Sequence, residues 1–498
     1  MADGRRNLIG QVDDLDGALA DPQQIQGNIL QPFDGCHQAF LFLSFGGRRT
    51  EARVWLGEAA TRIDCTGDVT AARDGTRIPA GRCLMSVSLT ATGLITMHPE
   101  VSADLARFEA FRKGPLGNRL DDSGRITSTP ALMGDVGNSD PTSWLIGGPR
   151  RPPVDAMLII AADDDESLHE RVRQEQLWAT GAGLQIMPIA GMDGAGPLVQ
   201  YGSVVRNAAG NPIEHFGFVE GISNPAVRGA DGAAAGSPAI GIGEFVLGFE
   251  GERRPLSLGH RPTPAPWMRG GSFHVFRRLR QDVAGWWDKM EKLSDADSTA
   301  EDIAAKAVGR SPDGAPLAKD ANPDDLNDFT YDGDEHGIHT PLYAHIRKMN
   351  PRRNDMFRER SHKLLRRGIP FGPPMDRSNP DNHDRGMLFN AYMASIEDQF
   401  EFLQRCWAND PEFPSSTIAK FDTDSGAAAG RVDGMDPVIG YSADAAHRRH
   451  GAAVRGVPPL AFGGFVTTTG SVYAFAPSRV ALCLLASDLP LDALRSVY

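Results

Sequence analysis

The chain has 498 residues, of which 41% are hydrophobic and 23% are charged, and its net charge is −13. Because this length exceeds that of one ordinary hydrophobic core, two or three domains are expected. The acidic balance argues against nucleic acid as a partner, since binding to phosphates requires concentrated positive charge. The longest apolar runs, such as 157–162 and 480–486, are far shorter than the roughly 20 residues of a membrane helix. We therefore expect neither a nucleic-acid nor a membrane partner.

The cysteines and the start of the chain predict a reducing compartment. The five cysteines are scattered and form no CxxC or CxxCH motif, so a zinc site and covalently attached c-type haem are both disfavoured. Arg5 and Arg6 are not followed by the apolar stretch of a secretory or twin-arginine signal. We expect free thiols and a cytoplasmic protein.

The first half of the chain alternates between predicted strands and helices. Residues 1–24 are polar and predict an N-terminal arm. Strands are predicted from runs of aliphatic and aromatic residues at 38–45, 85–92, 154–161 and 183–189. An acidic cluster at 163–166 favours the first turn of a helix over 167–180. Because no Gly-x-Gly-x-x-Gly of a nucleotide-binding fold is present, the pattern indicates the α+β class.

The second half repeats these element types without a visible sequence repeat. Strands are predicted at 243–249, 272–277 and 386–394, and a hairpin over 463–476 with its turn at Thr469, Gly470 and Ser471. Apolar residues at three- and four-residue steps predict two amphipathic helices. Their seams are Phe276, Leu279, Val283, Trp286 or Trp287 and Met290 in one, and Ile396, Phe400, Leu403 and Trp407 in the other. Polar segments near 288–336 and 410–455 predict surface insertions.

Three segments of the second half carry side chains suited to one chemistry. Residues 216–225 are Phe-Gly-Phe-Val-Glu-Gly-Ile-Ser-Asn-Pro, with Glu220 in a glycine-flanked turn. His345 begins His-Ile-Arg-Lys-Met-Asn-Pro-Arg, and Arg366 begins Arg-Arg-Gly-Ile-Pro-Phe-Gly. An imidazole to hold iron, a permanent cation and a carboxylate are what a haem peroxidase needs.

These segments resemble the DyP-type, or dye-decolourising, peroxidase family. The resemblance extends from about residue 26 to the end of the chain and is most specific at 216–227, 270–280 and 343–372. It implies two ferredoxin-like α+β halves with antiparallel sheets, in a barrel-like arrangement, with haem b mainly in the C-terminal half. The implied domains are 25–215 and 216–498, and the second contains both insertions.

In this family the histidine of the matching segment is the axial ligand, so the resemblance assigns the haem iron to His345. The acceptor for its second ring nitrogen is expected at 395–398. The family's distal arginine matches Arg366, whose charge would stabilise the negative charge that develops as the O–O bond breaks. The adjacent Arg367 is the alternative, and a lone arginine ordinarily forms a surface ion pair.

Glu220 is the residue at which the sequence departs from the family motif, Gly-x-x-Asp-Gly. The family assigns proton transfer between the two peroxide oxygens to that aspartate. Glutamate keeps the carboxylate and adds about 1.5 Å of reach, in a site where small displacements matter. Since the unperturbed pKa values, about 4.3 and about 3.9, differ little, geometry rather than acidity is expected to matter. The alternative is that Glu220 is only a turn residue in a degenerate site.

Further residues match segments that lie around the haem in the family. Arg277 is a candidate to bind a haem propionate, because arginine binds carboxylates through two nitrogens; the alternative is a solvent-facing arginine. Met387 and Phe389 match apolar residues above the distal pocket, although either would be ordinary in the core of a strand. Candidates to carry oxidising equivalents from the haem to the surface are aromatic residues, whose ordinary role is packing. These are Trp267, Trp286, Trp287, Trp407 and Tyr331.

The resemblance therefore implies an oxidoreductase, a haem-dependent peroxidase. It would use hydrogen peroxide to oxidise bulky phenols or dyes in one-electron steps through a ferryl intermediate. Its partners would be hydrogen peroxide and an aromatic reductant, and the sequence leaves the oligomeric state open. One alternative is a non-catalytic haem carrier or sensor on the same fold. A chlorite-dismutase-like enzyme is another, but it does not explain the carboxylate between glycines.

Overall fold

The computed structural model describes most of the chain. The described residues are 21–72, 78–120, 124–186, 199–228, 239–252, 260–318, 320–322, 324–352, 357–414, 434–441, 449–450, 460–461 and 463–491. The predicted arm therefore lies outside them up to residue 20, as does most of the predicted insertion near 410–455.

The strands vary from two to eleven residues. In chain order they are β1 His37–Ser44, β2 Leu84–Leu89, β3 Asn118–Leu120, β4 Ile126–Ser128, β5 Ala156–Ala162, β6 Gln185–Ile186, β7 Val199–Ser203, β8 Val205–Arg206, β9 Pro212–Ile213, β10 Val227–Arg228, β11 Ile240–Gly241, β12 Ser272–Gln281, β13 Leu365–Arg366, β14 Ile369–Phe371, β15 Gly386–Met393, β16 Arg449–His450, β17 Leu460–Ala461 and β18 Val466–Ala476.

The helices are mostly short and lie around the sheet. The α-helices are α1 Arg49–Ala60, α2 Thr66–Ala72, α3 Ala91–Met97, α4 Ser102–Leu105, α5 Glu109–Lys113, α6 Thr129–Met133, α7 Asp165–Gly181, α8 Val283–Leu293, α9 Ala300–Val308, α10 His345–Met349, α11 Phe357–Arg360 and α12 Arg479–Leu485. Short 3₁₀ helices lie at Pro99–Val101, Gly137–Ser139, Pro141–Ser143, Ile242–Glu244 and Pro266–Met268. Two π-helices, Ile396–Glu401 and Leu403–Ala408, follow each other closely. None of the described helices is long and apolar enough to cross a membrane.

Ten strands form one sheet in the order β13-β15-β12-β18-β2-β5-β1-β6, with β14 beside β15 and β7 beside β1. The early strands occupy one part of this sheet and the late strands the other. The two parts meet where Leu89 of β2 pairs with Phe475 of β18. All the pairings inside this sheet are antiparallel. The predicted α+β fold with antiparallel sheets is confirmed, whereas the domain boundaries stay predictions.

The central strands read as continuous apolar runs because they are covered on both faces. β5 is buried along its whole length, and β1 is buried after its first residue. Phe40 and Phe42 of β1 pack against Phe276 of β12, with ring centroids 5.6 and 5.1 Å apart. The two parts of the sheet thus share one core.

Helix α7 begins where the acidic cluster predicts. The side chain of Asp164 accepts a hydrogen bond from the backbone N–H of Ser167 at 2.7 Å. Asp165 and Glu166 occupy the first turn, where carboxylates interact favourably with the helix dipole. The predicted helix over 167–180 is confirmed, with a start two residues earlier.

Some predicted elements of the second half are wrong in type or extent. β12 continues to Gln281, so Phe276 and Leu279 lie in a strand, and the predicted helix begins only at Val283. The segment predicted as a strand at 243–249 contains a 3₁₀ helix and turns instead. The predicted hairpin over 463–476 is a single strand, β18, that runs through the expected turn.

The polar segment near 288–336 contains a helix that the sequence analysis did not predict. Thr299 and Asp302 form a reciprocal capping box at the start of α9, as Ser/Thr-x-x-acid sequences do. Ile303 and Ala304 are buried in the same apolar cluster as Trp286 of α8. α9 therefore extends the packed core in this region.

Candidate active site

Glu220 lies in a tight turn that its neighbours close. Gly217 and Gly221 have φ angles of +101° and +80°, a conformation that favours glycine. The carboxylate of Glu214 accepts hydrogen bonds from the backbone N–H groups of Phe216 at 2.8 Å and of Phe218 at 3.0 Å. A second carboxylate thus holds the turn that the glycines permit.

Burial changes the acidity of Glu220. Its pKa is raised to about 7, first because burial disfavours the charged form and then because Glu214 adds negative charge, while Arg366 lowers it. The comparison of glutamate with aspartate stays a prediction, because this pKa shift comes from the surroundings of the carboxyl and not from its chemical type. The environment shifts the pKa of this carboxyl far more than an exchange of glutamate for aspartate would.

Hydrogen bonds hold Arg366 next to the segment that carries Glu220. It ends strand β13, and its Nη2 donates a hydrogen bond to Oγ of Ser223 at 2.9 Å. The side chain of Asn224 binds the backbone of Arg366 twice. Its Oδ1 accepts from the N–H at 3.0 Å, and its Nδ2 donates to the C=O at 3.2 Å. Burial lowers the pKa of Arg366, and the nearby charge of Glu220 raises it.

Arg367 points elsewhere and is occupied by main-chain carbonyls. Its Nε donates to the C=O of Asn28 at 2.9 Å, and its Nη1 donates to that of Arg366 at 2.9 Å. Its Nη2 donates to the C=O of Ile29 at 2.7 Å and of Leu30 at 3.3 Å. The structure therefore brings Arg366 together with Glu220 and uses Arg367 to anchor the segment around residue 29.

His345 is the first residue of α10, and a buried carboxylate orients its ring. Its Nδ1 lies 2.8 Å from Oδ2 of Asp436. The other oxygen of Asp436 accepts hydrogen bonds from the backbone N–H of Val438 at 2.8 Å and of Ile439 at 3.0 Å. Burial raises the pKa of Asp436, but His345 and these N–H groups together lower it by more, so its net shift is downward.

The expectation that 395–398 supplies the acceptor for His345 is wrong. Asp436 lies 91 residues along the chain from the histidine, inside the segment predicted as a loop-rich insertion. Ser395 instead caps the first π-helix, accepting a hydrogen bond from the backbone N–H of Asp398 at 3.1 Å. No local pattern pointed to Asp436, because only the fold brings it to the histidine.

Two successive π-helices lie near His345, and the second packs beside α10. Ile396–Glu401 and Leu403–Ala408 were predicted as one amphipathic α-helix, and Ile396, Phe400 and Trp407 are buried as that seam required. The second π-helix contacts α10. Because π-helical turns are rare and occur often at functional sites, this distortion marks the same region.

Arg277 is buried in β12 and takes part in an internal ion pair. Its Nη2 donates hydrogen bonds to Asp135 and, at 2.6 Å, to Thr468. Its Nε is buried and has no hydrogen-bond partner among the described residues. The solvent-facing alternative for Arg277 is therefore wrong, and the propionate role stays a prediction.

Met387 and Phe389 lie on the same face of β15. Both are partly exposed, whereas Leu388 and Asn390 between and beyond them are buried. Sδ of Met387 lies 3.2 Å from the position that a Cβ on Gly368 would occupy. Met387 thus borders the segment that begins with Arg366, and the place of both side chains above a distal pocket stays a prediction.

A group of cations near Arg366 was not singled out from the sequence. The Arg352 guanidinium lies 3.7 Å from the ring centre of Phe329. Nζ of Lys363 donates to Glu359 at 2.6 Å and to Asn350 at 2.6 Å. Burial lowers the pKa of Lys363, which Arg352 and Arg366 lower further. The positive charge of the site thus exceeds that of Arg366 alone.

The aromatic residues proposed as electron carriers are largely packed inside. Trp286 is fully buried and stacks on Phe216, next to the Glu220 turn, with centroids 4.3 Å apart. The neighbouring Trp287 contacts the partly exposed guanidinium of Arg377 at 3.7 Å. Their packing roles are evident, and electron transfer stays a prediction.

Comparisons with known proteins give one family. The family description "Dyp-type peroxidase, C-terminal" matches residues 211–429. The multifunctional dye peroxidase DyP2 of Amycolatopsis sp. is 30% identical over 484 residues, which cover 91% of this chain and 94% of the relative. A dye-decolorizing peroxidase of Exidia glandulosa is 27% identical over 439 residues, covering 82% of this chain and 80% of the relative.

Solved structures share the fold. A dye-decolorizing peroxidase in complex with 2,6-dimethoxyphenol superposes with a TM-score of 0.73 and 24% identity, covering 94% of this chain and 99% of that chain. The structure of AauDyP complexed with imidazole gives a TM-score of 0.75 at 23% identity, covering 94% and 100%. A DyP-type peroxidase from Anabaena sp. gives 0.71 at 23% identity, covering 97% and 95%.

Proposed function

Because the chain belongs to the DyP-type peroxidase family, we propose that it is a haem b enzyme in which His345 holds the iron and Glu220 and Arg366 act on peroxide. The chain is a peroxidase, an oxidoreductase whose oxidant is hydrogen peroxide. Its relatives are named as dye peroxidases, and none of these names supports a haem carrier or sensor. We also propose a cytoplasmic location, which the five free cysteines support.

The residues present fit haem b. A haem needs a nitrogen ligand for iron and partners for its two carboxylates. Asp436 engages Nδ1 of His345, which leaves Nε2 as the nitrogen for iron. The buried, unpartnered Nε of Arg277 suits a carboxylate, and Arg352 and Lys363 provide further positive charge. Met387 places an apolar side chain next to Gly368, two residues after Arg366, and Phe389 is partly exposed on the same face of β15.

When bound, haem supplies the iron centre that reacts with peroxide and stores the two oxidising equivalents. The protein supplies the proton transfer and the charge. An oxygen of the ionised Glu220 carboxylate takes a proton from hydrogen peroxide and returns it to the departing oxygen. The Arg366 guanidinium stabilises the negative charge on that oxygen, because a fixed cation in a buried site needs no reorganisation. Asp436 keeps the ring of His345 in one orientation.

Bulky phenols and dyes are the proposed reductants. This assignment rests on the names of the relatives and on the complex of one solved relative with 2,6-dimethoxyphenol. An aromatic donor that gives up one electron at a time needs contact with an electron path rather than a shaped pocket. The physiological donor is therefore not specified by dye oxidation.

The observation that carries the proposal is the convergence of Glu220 and Arg366. The contacts of Ser223 and Asn224 with Arg366 bring the Glu220 turn to strand β13. The charges of Glu220 and Arg366 also affect the pKa values of each other. The test is to load the protein with haem and mix it with one equivalent of hydrogen peroxide. An enzyme shifts its Soret band rapidly and then oxidises a phenol, whereas a spectrum unchanged over minutes would favour a carrier.

A further inference from the structure

The Glu220 and Arg366 side chains have opposite charges and share a buried site, yet they do not pair. Within the described residues no nitrogen of Arg366 approaches a Glu220 oxygen to within the 4.0 Å of an ion pair. The influence of each on the other is electrostatic and involves no hydrogen bond. Because arginine and carboxylate attract each other strongly where water is excluded, something must keep them apart.

We propose that Ser223 is a positioning residue that holds the Arg366 guanidinium away from the Glu220 carboxylate. This inference rests on the proposed roles of Glu220 and Arg366 and adds a residue to them. Oγ of Ser223 accepts a hydrogen bond from Nη2 of Arg366 at 2.9 Å. Among the described residues, Ser223 is the side chain that forms a hydrogen bond with this guanidinium.

The backbone around Ser223 makes the hydroxyl a fixed point. The next residue, Asn224, binds both the N–H and the C=O of Arg366. These bonds fix the position of Ser223 relative to β13. The hydrogen bond from Nη2 to Ser223 then fixes the orientation of the Arg366 side chain. A hydroxyl is neutral, so it holds the cation without neutralising it.

The charges around the pair explain why such a restraint is needed. Arg310 and Lys363 both lie close enough to Arg366 to be affected by its charge, and their repulsion favours movement of Arg366 toward an anion. Glu214 acts on Glu220, and His345 acts on Glu214.

Pairing would cost the site both functions. A carboxylate bound to arginine has a depressed pKa and is a weaker base. An arginine bound to carboxylate has little charge left for the departing oxygen. By holding Arg366, Ser223 keeps the base and the cation available at once.

The test compares Ser223→Ala with the conservative Ser223→Thr, and with Ser102→Ala, an exposed serine at the start of helix α4. Each haem-loaded variant is crystallised, and its rate constant with hydrogen peroxide is measured across pH 5–9. In Ser223→Ala we expect an Arg366–Glu220 distance of about 3 Å. The midpoint of the pH profile should fall by about one unit, and the rate above the midpoint by about tenfold or more. Threonine and the control should match wild type.

The proposal is overturned if Arg366 keeps its position in Ser223→Ala and the midpoint is unchanged. A loss of haem or of thermal stability with a wild-type midpoint in the loaded fraction contradicts it equally. Should Ser223→Ala not load haem, Ser223→Cys keeps the size with a weak acceptor and is held to the same outcomes. If Glu220→Gln leaves the wild-type rate unchanged, the proton role of Glu220 fails, while the position of Arg366 in Ser223→Ala still decides the role of Ser223.

Discussion

At the scale of single residues, the side chains that we propose to carry the chemistry could be named from the sequence, but their environment could not. Gly217 and Gly221 predicted a turn around Glu220, and the structure has it. The pKa of Glu220 near 7 depends on burial and on Glu214, which no local pattern reports. The motif favoured Arg366 over Arg367, and the carbonyls around residue 29 that Arg367 binds support this choice.

His345 and Asp436 should separate in their effects. His345→Ala removes the proposed iron ligand, so haem content should fall several-fold. Asp436→Asn removes the negative charge that makes the imidazole a stronger donor, so haem should stay bound with a higher reduction potential. Haem content and spectroelectrochemical titration measure the two effects.

Asp398→Asn is the matched control for Asp436→Asn, because 395–398 was the stretch favoured by the sequence. It should leave both quantities unchanged. Full haem occupancy with an unchanged spectrum in His345→Ala would refute the ligand assignment. An unchanged potential in Asp436→Asn would refute the role of the carboxylate.

The two neighbouring arginines should fail in different ways. Arg366→Leu should slow the reaction with peroxide by about 100-fold or more with haem content near wild type, because its charge is needed chiefly in the transition state. Arg367→Leu removes hydrogen bonds to four main-chain carbonyls, two of them in buried contacts, and should lower the free energy of unfolding by about 2–4 kcal/mol.

Stopped-flow rates and denaturant unfolding distinguish these outcomes. A collapsed peroxide rate in stable Arg367→Leu, with an unaffected rate in Arg366→Leu, would exchange the two assignments. A loss of stability alone in both variants would remove the distal arginine from the proposal.

At the scale of elements, strands with long apolar runs were predictable and turns set by tertiary contacts were not. β1, β5 and β15 lie within a residue or two of their predicted positions. Thr469, Gly470 and Ser471 suggested a hairpin, yet β18 continues through them with a shift of register at Thr469. Gly470 packs directly against Ile146 there. Only the fold reveals why a glycine is needed inside this strand.

Gly470 should be intolerant of a side chain. A Cβ on Gly470 would lie 2.9 Å from Cβ of Ile146, so Gly470→Ala should destabilise the protein by about 1–3 kcal/mol through overpacking. Gly181→Ala is the control, because a Cβ there meets nothing within 4 Å at the end of α7. It should be neutral or stabilise by up to about 1 kcal/mol. Equal unfolding midpoints for both variants would contradict this account of β18.

At the scale of the whole molecule, the α+β class and the family followed from pattern and motif together. The single sheet is the part that neither predicted in detail. Leu89 and Phe475 join strands that are 386 residues apart along the chain, and Asp436 reaches His345 across 91 residues. Long-range contacts of this kind leave no periodic signal, so the sequence could supply the candidate site residues but not the partners that tune them.

The central claim is that Glu220 moves the proton when peroxide reacts. The direct measurement is the rate constant for the reaction of the haem-loaded protein with hydrogen peroxide across pH 5–9, in wild type, Glu220→Gln and Glu220→Asp. The base must be ionised to accept a proton, and its pKa is raised to about 7, so the wild-type rate should rise with pH through about 7. Glu220→Gln should be slower by about 100-fold or more, without that rise, and Glu220→Asp should keep part of the rate. Equal rates and equal pH profiles in wild type and Glu220→Gln would contradict the account.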